Sequence, residues 1–307
     1  MQNVFWAIIL MVIILAVALL AVGMIDGNRF VTIKENFQLP RLSQECKFVL
    51  ISDLHNKVYG YKNDRVIAAI QKIKPDFIVL AGDLVTSKVR EDMTPGIELI
   101  RTLSQQYPIY YGLGNHESKM KNDLAEFGDK YNQLITAIST KNVEILDNKA
   151  IDIPKYNIRI IGLNLDLDYF VHFRVRKMED GYLQRTLPPQ DANKCNILIA
   201  HNPDYFKEYA QWGADLILSG HVHGGIMRLP FLGGVVAPSY RLFPKYDGGV
   251  FHQGKSSMLL GRGLGSHTLP FRFFNPAELY EVTLQPSYFS PSMNKGKSTG
   301  SKRKDCC

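Results

Sequence analysis

The hydrophobic pattern begins with one long apolar stretch at the start of the chain. Residues 1–25 carry no charged side chain, and residues 4–25 would form a helix of about 33 Å, enough to cross the hydrocarbon core of a bilayer. A secretory signal peptide would have a basic start, a shorter apolar stretch and a cleavage site with small residues. This chain begins Met-Gln-Asn, without lysine or arginine. The pattern therefore predicts an uncleaved transmembrane helix over 1–25 and a single-pass location in the cell membrane.

The charges that flank this stretch are asymmetric. Arg29, Lys34 and Arg41 follow it closely and no basic residue precedes it. Because cytoplasmic flanks are enriched in lysine and arginine, this asymmetry favours a cytoplasmic location for the rest of the chain. So few charges do not determine the orientation of a single span, and the side of the membrane stays open.

After a polar segment predicted as a linker over 26–45, short apolar runs of strand length alternate with segments of helical periodicity. The runs predict strands at 47–52, 76–82, 108–114, 157–164, 195–200, 215–220, 257–261 and 277–284. The periodicity predicts helices at 65–74, at 96–106, around 123–139 and one that opens at Pro203. This alternation is typical of an α/β layered domain, here predicted over 46–286 and followed by a basic disordered tail over 287–307.

The positive charge of the chain is concentrated in that tail. The whole chain of 307 residues has a net charge of +7, and residues 289–307 hold five basic residues and one aspartate, which leaves +3 for residues 1–288. A domain this close to neutrality lacks the basic surface that nucleic-acid binding requires. No specific nucleic-acid partner is expected, although a nuclease activity stays open.

The four cysteines predict neither a disulfide framework nor a zinc ribbon. Cys46 and Cys195 each stand alone at the head of an apolar run, and Cys306 and Cys307 end the chain. Cys195 is best interpreted as a small buried side chain. The terminal pair follows a polybasic run that resembles a lipidation signal, but a solvated tail is the simpler interpretation.

Polar side chains follow nearly every predicted buried strand, at the edge of an α/β sheet where ligands gather. In extended chain, residues two apart point to the same side, so Asp-x-His and His-x-His can each present two side chains to one cavity. Glycines flank the His-x-His pair and let the backbone take a tight path. Five of the eight histidines follow apolar runs in this way. The full set is Asp53, His55, Asp83, Asn115, His116, Glu117, His201, His221 and His223.

This mixture of imidazole, carboxylate and amide groups predicts a metal site. Nitrogen and oxygen ligands together suit manganese, iron or zinc better than calcium or magnesium. Seven candidate ligands are too many for one ion, but they fit two divalent ions that share a bridging carboxylate. They are Asp53, His55, Asp83, Asn115, His201, His221 and His223.

The ordered motifs Asp-x-His, Gly-Asp, Gly-Asn-His-Glu, His-Asn-Pro and Gly-His-x-His-Gly resemble those of the calcineurin-like metallophosphoesterase family over about 48–284. The sequence GRGLG at 261–265 and the predicted anchor further resemble its bacterial membrane-associated subgroup. The resemblance implies an α/β fold in which two mixed β-sheets pack as a sandwich flanked by helices, here preceded by one transmembrane helix. It also implies a metal centre at the strand ends.

The resemblance implies a role for each candidate side chain. One ion would be held by Asp53, His55 and His223, and the other by Asn115, His201 and His221, with Asp83 bridging them. His116 matches the acid of the family, which protonates the leaving oxygen or stabilises its charge. Two such ions would lower the pKa of a bound water and polarise the phosphoryl group.

The chain departs from the family pattern after Asp83. Many relatives have an acid three residues further on, and protein phosphatases have an arginine next to it, whereas this chain has Thr86 and Ser87. His116 therefore lacks its usual orienting partner unless the Thr86 hydroxyl substitutes for it. Without the arginine there is no bidentate grip on a dianionic phosphomonoester. This argues against a serine/threonine protein phosphatase and favours a phosphodiester or a pyrophosphate.

The sequence thus predicts a membrane-anchored, metal-dependent phosphoric ester hydrolase that acts on a phosphodiester, pyrophosphate or phosphomonoester. An anchor would bring a lipid or cell-envelope compound within reach. The alternative is a non-catalytic protein that uses the same fold as a binding or scaffold module. Two aromatic and basic loops, 169–185 and 237–246, would contact lipid headgroups or an anionic substrate, or serve only as solvated connections. The oligomeric state is not predicted.

Overall fold

The structure is a computed structural model that describes residues 1–225, 227–229, 231–237, 240–266 and 271–287. The apolar stretch forms helix α1, Gln2–Gly27, whose side chains are mostly exposed, and its length and composition permit it to cross a membrane. The helices that follow in the described residues are α2 (Asp64–Ile73), α3 (Thr94–Leu103), α4 (Asn115–Asn122), α5 (Leu124–Phe127), α6 (Lys130–Ile138), α7 (Tyr182–Thr186) and α8 (Phe206–Trp212).

The strands alternate with these helices along the chain. In chain order they are β1 (Phe30–Leu39), β2 (Cys46–Ile51), β3 (Phe77–Ala81), β4 (Ile109–Gly112), β5 (Val143–Leu146), β6 (Lys149–Ile153), β7 (Ile158–Leu163), β8 (Cys195–Ala200), β9 (Leu216–Ser219), β10 (Arg228–Leu229), β11 (Gly233–Gly234), β12 (Gly249–Gln253), β13 (Ser256–Leu260) and β14 (Ala277–Pro286).

Two six-stranded sheets form the centre of the fold. The first has the order β1-β14-β2-β3-β4-β5, and only its β14–β2 pair is antiparallel. The second has the order β12-β13-β9-β8-β7-β6, with four parallel central strands and antiparallel edge strands β12 and β6. Both sheets are therefore mixed, and the predicted fold class is confirmed.

The side chains of each strand alternate between two cores. Phe48 and Leu50 of β2 point to the core between the sheets, where Ile197 of β8 also packs. Val49 and Ile51 point the other way, to a core shared with α2, α3 and α6. A third core covers the outer face of the second sheet with α7 and α8. Because β strands turn successive side chains to opposite faces, these nearly continuous apolar runs bury both faces and produce a helix–sheet–sheet–helix sandwich.

Several elements differ from the sequence prediction, which also lacked β5, β6, β10, β11, β12 and α7. The predicted linker over 26–45 contains β1, which pairs with β14 along ten residues at the edge of the first sheet. Polar residues on its outer side hide the strand pattern, since an edge strand buries little. The single helix expected around 123–139 is divided at Gly128, where φ is 56°. Helix α4 was not predicted at all.

Other predictions on the chain ends and cysteines have mixed outcomes. Cys46 and Cys195 are both buried, as predicted for Cys195. Apart from Ser287, the predicted tail over 287–307 lies outside the described residues, and so do Cys306 and Cys307.

Candidate metal centre

The candidate ligands meet where strands of both sheets end. Asp53 and His55 follow β2, Asp83 follows β3, and Asn115 is the first residue of α4 after β4. From the second sheet, His201 follows β8, and His221 and His223 follow β9. The carboxyl ends of parallel strands lie at one edge of a sheet, and here the edges of the two packed sheets adjoin.

Three groups of side chains at this edge each bring their ligand atoms within 4.8 Å of one another. One comprises Asp53, His55 and His223, and a second comprises Asp83, His201 and His221. The third comprises His55, Asp83 and His116, so it links the first two groups. The structure thus brings together six of the seven residues predicted as ligands, with His116 beside them.

The seventh predicted ligand, Asn115, adjoins this cluster. The next residue, His116, donates its backbone N–H to Asp83 Oδ1 at 2.9 Å. The Asn115 Oδ1 atom is buried and accepts no hydrogen bond within the described part of the chain. A buried amide oxygen without a donor is costly unless another group, such as a cation, compensates it.

The distances between ligand atoms are short. His55 Nε2 lies 3.0 Å from His223 Nε2, and His223 Nε2 lies 3.3 Å from Asp53 Oδ1. His201 Nε2 lies 3.0 Å from Asp83 Oδ2 and 3.7 Å from Asp53 Oδ1. Two nitrogens that each lie about 2.1 Å from one ion are about 3 Å apart when they bind at a right angle. The spacing of these side chains therefore fits shared ions.

Hydrogen bonds orient two of the histidine rings towards the cluster. His201 Nδ1 lies 2.6 Å from the Ala81 carbonyl oxygen, and His223 Nδ1 lies 3.3 Å from that of Gly265. A carbonyl only accepts, so each Nδ1 carries a proton, and in the neutral ring that binds a metal Nε2 then presents a lone pair. Metal-binding histidines are commonly held in this way. The donor set therefore fits divalent metal ions.

Burial and mutual contact shift the pKa values of the cluster strongly. Burial is the main cause that raises the pKa of the Asp53 carboxyl, and the nearby Asp83 carboxylate adds to it. Burial also acts to raise the pKa of Asp83, but His201 and then His116 hold it well below its usual range. Burial disfavours a charged His201, yet the two carboxylates raise its pKa to about 10. Such concentrated shifts are typical of functional sites.

The backbone at the centre is strained. Five of the candidate ligands have a positive φ: 48° at Asp53, 48° at His55, 54° at Asp83, 74° at His221 and 54° at His223. For residues other than glycine this region costs about 1–2 kcal/mol each. Strain of this kind persists only where the surroundings impose it, and it clusters at functional sites.

Two backbone features allow the strand ends to approach each other. Gly82 has a φ of 84°, and a Cβ there would lie 2.6 Å from His201 Nδ1 and from the Gly114 Cα. The buried Glu117 carboxylate accepts the backbone N–H groups of Asp83 at 2.9 Å and of Gly114 at 2.8 Å. Burial and then Asp83 raise the pKa of Glu117 to about 7. Glu117 therefore joins the ends of β3 and β4 through their backbones.

The predicted acid, His116, is oriented by Ser87. The Ser87 backbone N–H donates to His116 Nδ1 at 2.9 Å, and the Ser87 hydroxyl lies 2.7 Å from the same nitrogen. The partner suggested by the sequence was the Thr86 hydroxyl, so this position is shifted by one residue. His116 Nε2 lies 3.9 Å from Asp83 Oδ2. Burial is the main cause that lowers the pKa of His116.

Asn275 and Arg272 support the ligands from behind and were not predicted from the sequence. Asn275 is buried, and its side chain donates to the carbonyl oxygens of His223 and Gly225, both at 2.8 Å. Buried Arg272 donates to the Gly265 carbonyl at 2.6 Å, and the Gly265 N–H donates to that of Asp53 at 2.6 Å. Because Arg272 and Asn275 bind backbone carbonyls, no partner side chain reveals their role in the sequence. The motif GRGLG, which ends at Gly265, was the only signal.

A two-sheet sandwich with clustered aspartates and histidines at its strand ends is an arrangement that can hold divalent metal for hydrolysis. Residues 46–225 match the calcineurin-like phosphoesterase family. The match covers more than half of the chain, and the chain belongs to this family. It is thus a metallophosphoesterase, an enzyme class that hydrolyses phosphoesters, and its Asp and His groups could hold metal.

Several proteins known from sequence or from solved structures are similar to this chain. It is 29% identical over 265 residues to the uncharacterized metallophosphoesterase YkuE of Bacillus subtilis, covering 83% of this chain and 84% of that one. It is 26% identical over 228 residues to the phosphodiesterase YaeI of Escherichia coli, covering 72% and 75%. The solved phosphoesterase Yfce of E. coli has 12% identity and a TM-score of 0.33, covering 72% and 82%.

Proposed function

We propose that this protein is a membrane-anchored phosphodiesterase or pyrophosphatase with a binuclear metal centre. The observation that carries the proposal is the pair of three-residue groups, Asp53-His55-His223 and Asp83-His201-His221, whose ligand atoms lie within 4.8 Å of one another in each group. If only one ion were bound, the other group would have no cation to compensate its buried carboxylate. The motif Gly-His-x-His-Gly would then serve two ions, because its two histidines fall in different groups.

We assign the ligands accordingly. Asp53, His55 and His223 would hold one ion, Asn115, His201 and His221 would hold the other, and Asp83 would be shared between them. The imidazole-rich set favours manganese, iron or zinc. When bound, two such ions supply a hydroxide at neutral pH and polarise the phosphoryl oxygens.

In this proposal His116 donates a hydrogen bond from Nε2 to the leaving oxygen and stabilises the charge that develops there, because a neutral ring that gave up its only proton would become an imidazolate. Because Ser87 donates a backbone N–H to Nδ1, a neutral His116 ring carries its proton on Nε2. That atom lies 3.9 Å from Asp83 Oδ2, at the centre of the cluster. His116 is thus positioned to donate to a substrate oxygen or to stabilise its developing charge.

The residues around His116 support a diester or pyrophosphate over a monoester. Ser87 stands where protein phosphatases of the family have an arginine, and it uses its polar atoms on His116. A phosphodiester carries one negative charge per phosphorus and does not require a bidentate cation. The related YaeI is named a phosphodiesterase. We propose a phosphodiester or pyrophosphate of a lipid or cell-envelope compound as the substrate class.

Contacts at the end of α1 support its role as a retained anchor. The Gly23 carbonyl accepts the backbone N–H of Arg272 at 3.2 Å, and the buried Asp26 carboxylate accepts that of Asn275 at 3.1 Å. Asp26 also pairs with Arg29 at 2.7 Å. Cleavage within this region would remove bonds to buried groups of the domain, and we therefore propose a single-pass membrane location.

The enzymatic proposal is tested with the full-length chain in detergent micelles. Hydrolysis of bis-p-nitrophenyl phosphate and of p-nitrophenyl phosphate is measured after chelation and after addition of manganese, iron, zinc or magnesium. We expect metal-restored activity with a preference for the diester, and its loss in Asp83→Asn. Absence of hydrolysis by folded protein that binds two ions would favour the non-catalytic binding or scaffold function.

The role of His116 is tested by His116→Asn. Removal of one donor that stabilises developing charge costs about 10²–10³-fold in kcat, and we expect turnover to fall within that range while two ions per chain remain bound. Metal content is measured by elemental analysis beside kcat. Loss of metal in this variant would make His116 a ligand instead of a hydrogen-bond donor to the substrate.

A further inference from the structure

The end of helix α1 packs against a loop of the domain, and this contact locates the loop relative to a membrane. A Cβ at Gly23 would lie 2.6 Å from the Phe273 ring, so the helix backbone and this ring are in direct contact. The neighbouring Phe274 is 51% exposed. Helix α1 is apolar as far as Ile25. If α1 spans a bilayer, Phe273 and Phe274 therefore lie at the boundary of the hydrocarbon core.

A hairpin extends from this loop. The Arg228 backbone N–H donates to the Phe273 carbonyl at 3.0 Å, and Arg228 opens the β10–β11 pair. At the turn of this hairpin Phe231 is 108% exposed and Leu232 is 63% exposed. A hairpin tied to the helix end thus presents its largest apolar side chains at its tip, where soluble proteins place turn-forming polar residues.

A third segment continues the same surface. The Phe243 N–H donates to the Val235 carbonyl at 2.9 Å, and Leu242 pairs with Val236 in an isolated bridge. Both Leu242 and Phe243 are exposed. Tyr240 of this segment stacks on the Phe173 ring, with ring centroids 5.7 Å apart. We call the resulting set the apolar surface; it consists of Phe173, Phe231, Leu232, Leu242, Phe243 and Phe274.

The clustering of these side chains requires an explanation. Other exposed large apolar residues of the globular part, such as Tyr61, Val89 and Leu124, are widely separated along the chain, and scattered residues of this kind are ordinary. Most residues of the apolar surface instead lie on segments joined by backbone hydrogen bonds, and a gathered set of this kind marks an interaction surface. The apolar surface adjoins the end of α1, and a membrane-spanning α1 requires a bilayer. The bilayer is therefore the partner that would cover this surface.

We propose that the apolar surface enters the bilayer beside α1 and seats the domain on the membrane. The inference rests on the proposed function, because it requires α1 to be an anchor. Asn275 connects this surface to the metal centre: its backbone N–H binds Asp26 at the end of α1, and its side chain binds the His223 carbonyl. The centre therefore lies at the level of lipid headgroups, and its substrate is the phosphodiester or pyrophosphate of an amphiphile.

The position of the apolar surface is tested by tryptophan fluorescence of the full-length chain in phosphatidylcholine vesicles. Phe231→Trp is compared with Lys255→Trp in a Trp6→Phe background, which retains only the buried Trp212. Lys255 is an exposed residue in the turn that precedes β13, at the edge opposite the metal centre. We expect brominated lipids to quench the emission of the tryptophan at position 231, and we expect the bilayer to shift that emission to the blue. Neither change should occur at position 255.

The outcomes separate this inference from the proposed function. Carbonate extraction reports whether α1 holds the chain in the vesicle, and hydrolysis of bis-p-nitrophenyl phosphate reports the chemistry. If the chain is anchored and active but position 231 is not quenched, the inference is overturned and the surface serves a protein partner. If it is quenched, the double variant Phe231→Asp, Leu232→Asp should lose hydrolysis of a long-chain alkyl p-nitrophenyl phosphodiester in vesicles while retaining that of the soluble diester. Equal retention of both activities would overturn the amphiphilic substrate.

Discussion

Individual side chains at the metal centre are held by partners that fix one ring orientation. His201 and His223 each use Nδ1 on a backbone carbonyl, which turns Nε2 towards the cluster. His116 is arranged in the opposite sense, because its Nδ1 accepts from Ser87. As neutral rings, His201 and His223 therefore offer an Nε2 lone pair, whereas His116 offers an Nε2–H group. This difference separates the candidate ligands from the proposed hydrogen-bond donor.

At this scale we predict the effect of Ser87→Ala. The change removes the hydroxyl contact at 2.7 Å but keeps the backbone donor at 2.9 Å. One hydrogen bond contributes about 1 kcal/mol, so kcat should fall about fivefold with KM and metal content unchanged. Ser87→Thr should restore most of the rate.

Thr86→Ala is the matched control for the same experiment, and steady-state kinetics are measured for all three variants. If Thr86→Ala lowers kcat more than Ser87→Ala does, the orientation of His116 depends on Thr86, as the sequence first suggested.

At the scale of elements, the turn between β13 and β14 supports the loop that follows β2. The Leu264 and Gly265 N–H groups donate to the carbonyls of Ser52 and Asp53 at 3.0 and 2.6 Å. At Gly263, where φ is 71°, a Cβ would lie 2.7 Å from the Asp53 Cβ. The glycines of this turn thus allow a backbone to pack directly behind a candidate ligand.

We therefore predict that Gly263→Ala weakens metal binding about 10–100-fold, as changes behind a ligand commonly do. Metal affinity is measured by titration with manganese or zinc. Gly254→Ala is the control, because Gly254 also has a positive φ, 60°, but no atom lies within 4 Å of the added Cβ. Both variants carry the same kind of backbone strain, so equal affinities would contradict a supporting role for the turn.

At the scale of the whole molecule, the candidate ligands link the two sheets. Asp53 and Asp83 follow strands of the first sheet, while His201 and His221 follow strands of the second. The apolar core between the sheets also joins them, because Phe48 of the first sheet and Ile197 of the second are both buried in it. Bound ions would therefore add to the cohesion that this core provides.

We accordingly predict that chelation lowers the melting temperature. An ion present at about 1,000 times its Kd contributes about 4 kcal/mol, and each kcal/mol shifts Tm by about 2–4 °C for a domain of this size. The loss should thus be about 8–16 °C by differential scanning fluorimetry. Asp83→Asn should be insensitive to chelator. An unchanged Tm in protein shown to lose its ions would contradict metal cross-linking of the sheets.

The sequence determined those parts of the protein that depend on local pattern. Buried strands such as β3 and β8 are continuous apolar runs, so their positions were predicted closely, and the polar residues at their ends identified the candidate ligands. Elements with weak patterns were missed. Strand β1 is an edge strand with exposed polar residues, and α4 begins within the motif Gly-Asn-His-Glu and has a polar sequence that offers no apolar periodicity.

Only the tertiary structure decided how those residues are combined. The His55 and His223 rings meet although 168 residues separate them in the chain, and no local pattern records which histidine joins which carboxylate. The sequence also did not predict the supporting contacts of Ser87, Arg272 and Asn275. Ser87 donates a backbone N–H, and the other two bind backbone carbonyls, which every residue possesses. The sequence fixes which chemical groups are available at the strand ends. The packing of two sheets fixes their distances, ring orientations and proximity to the end of α1, and those quantities set the chemistry of the centre.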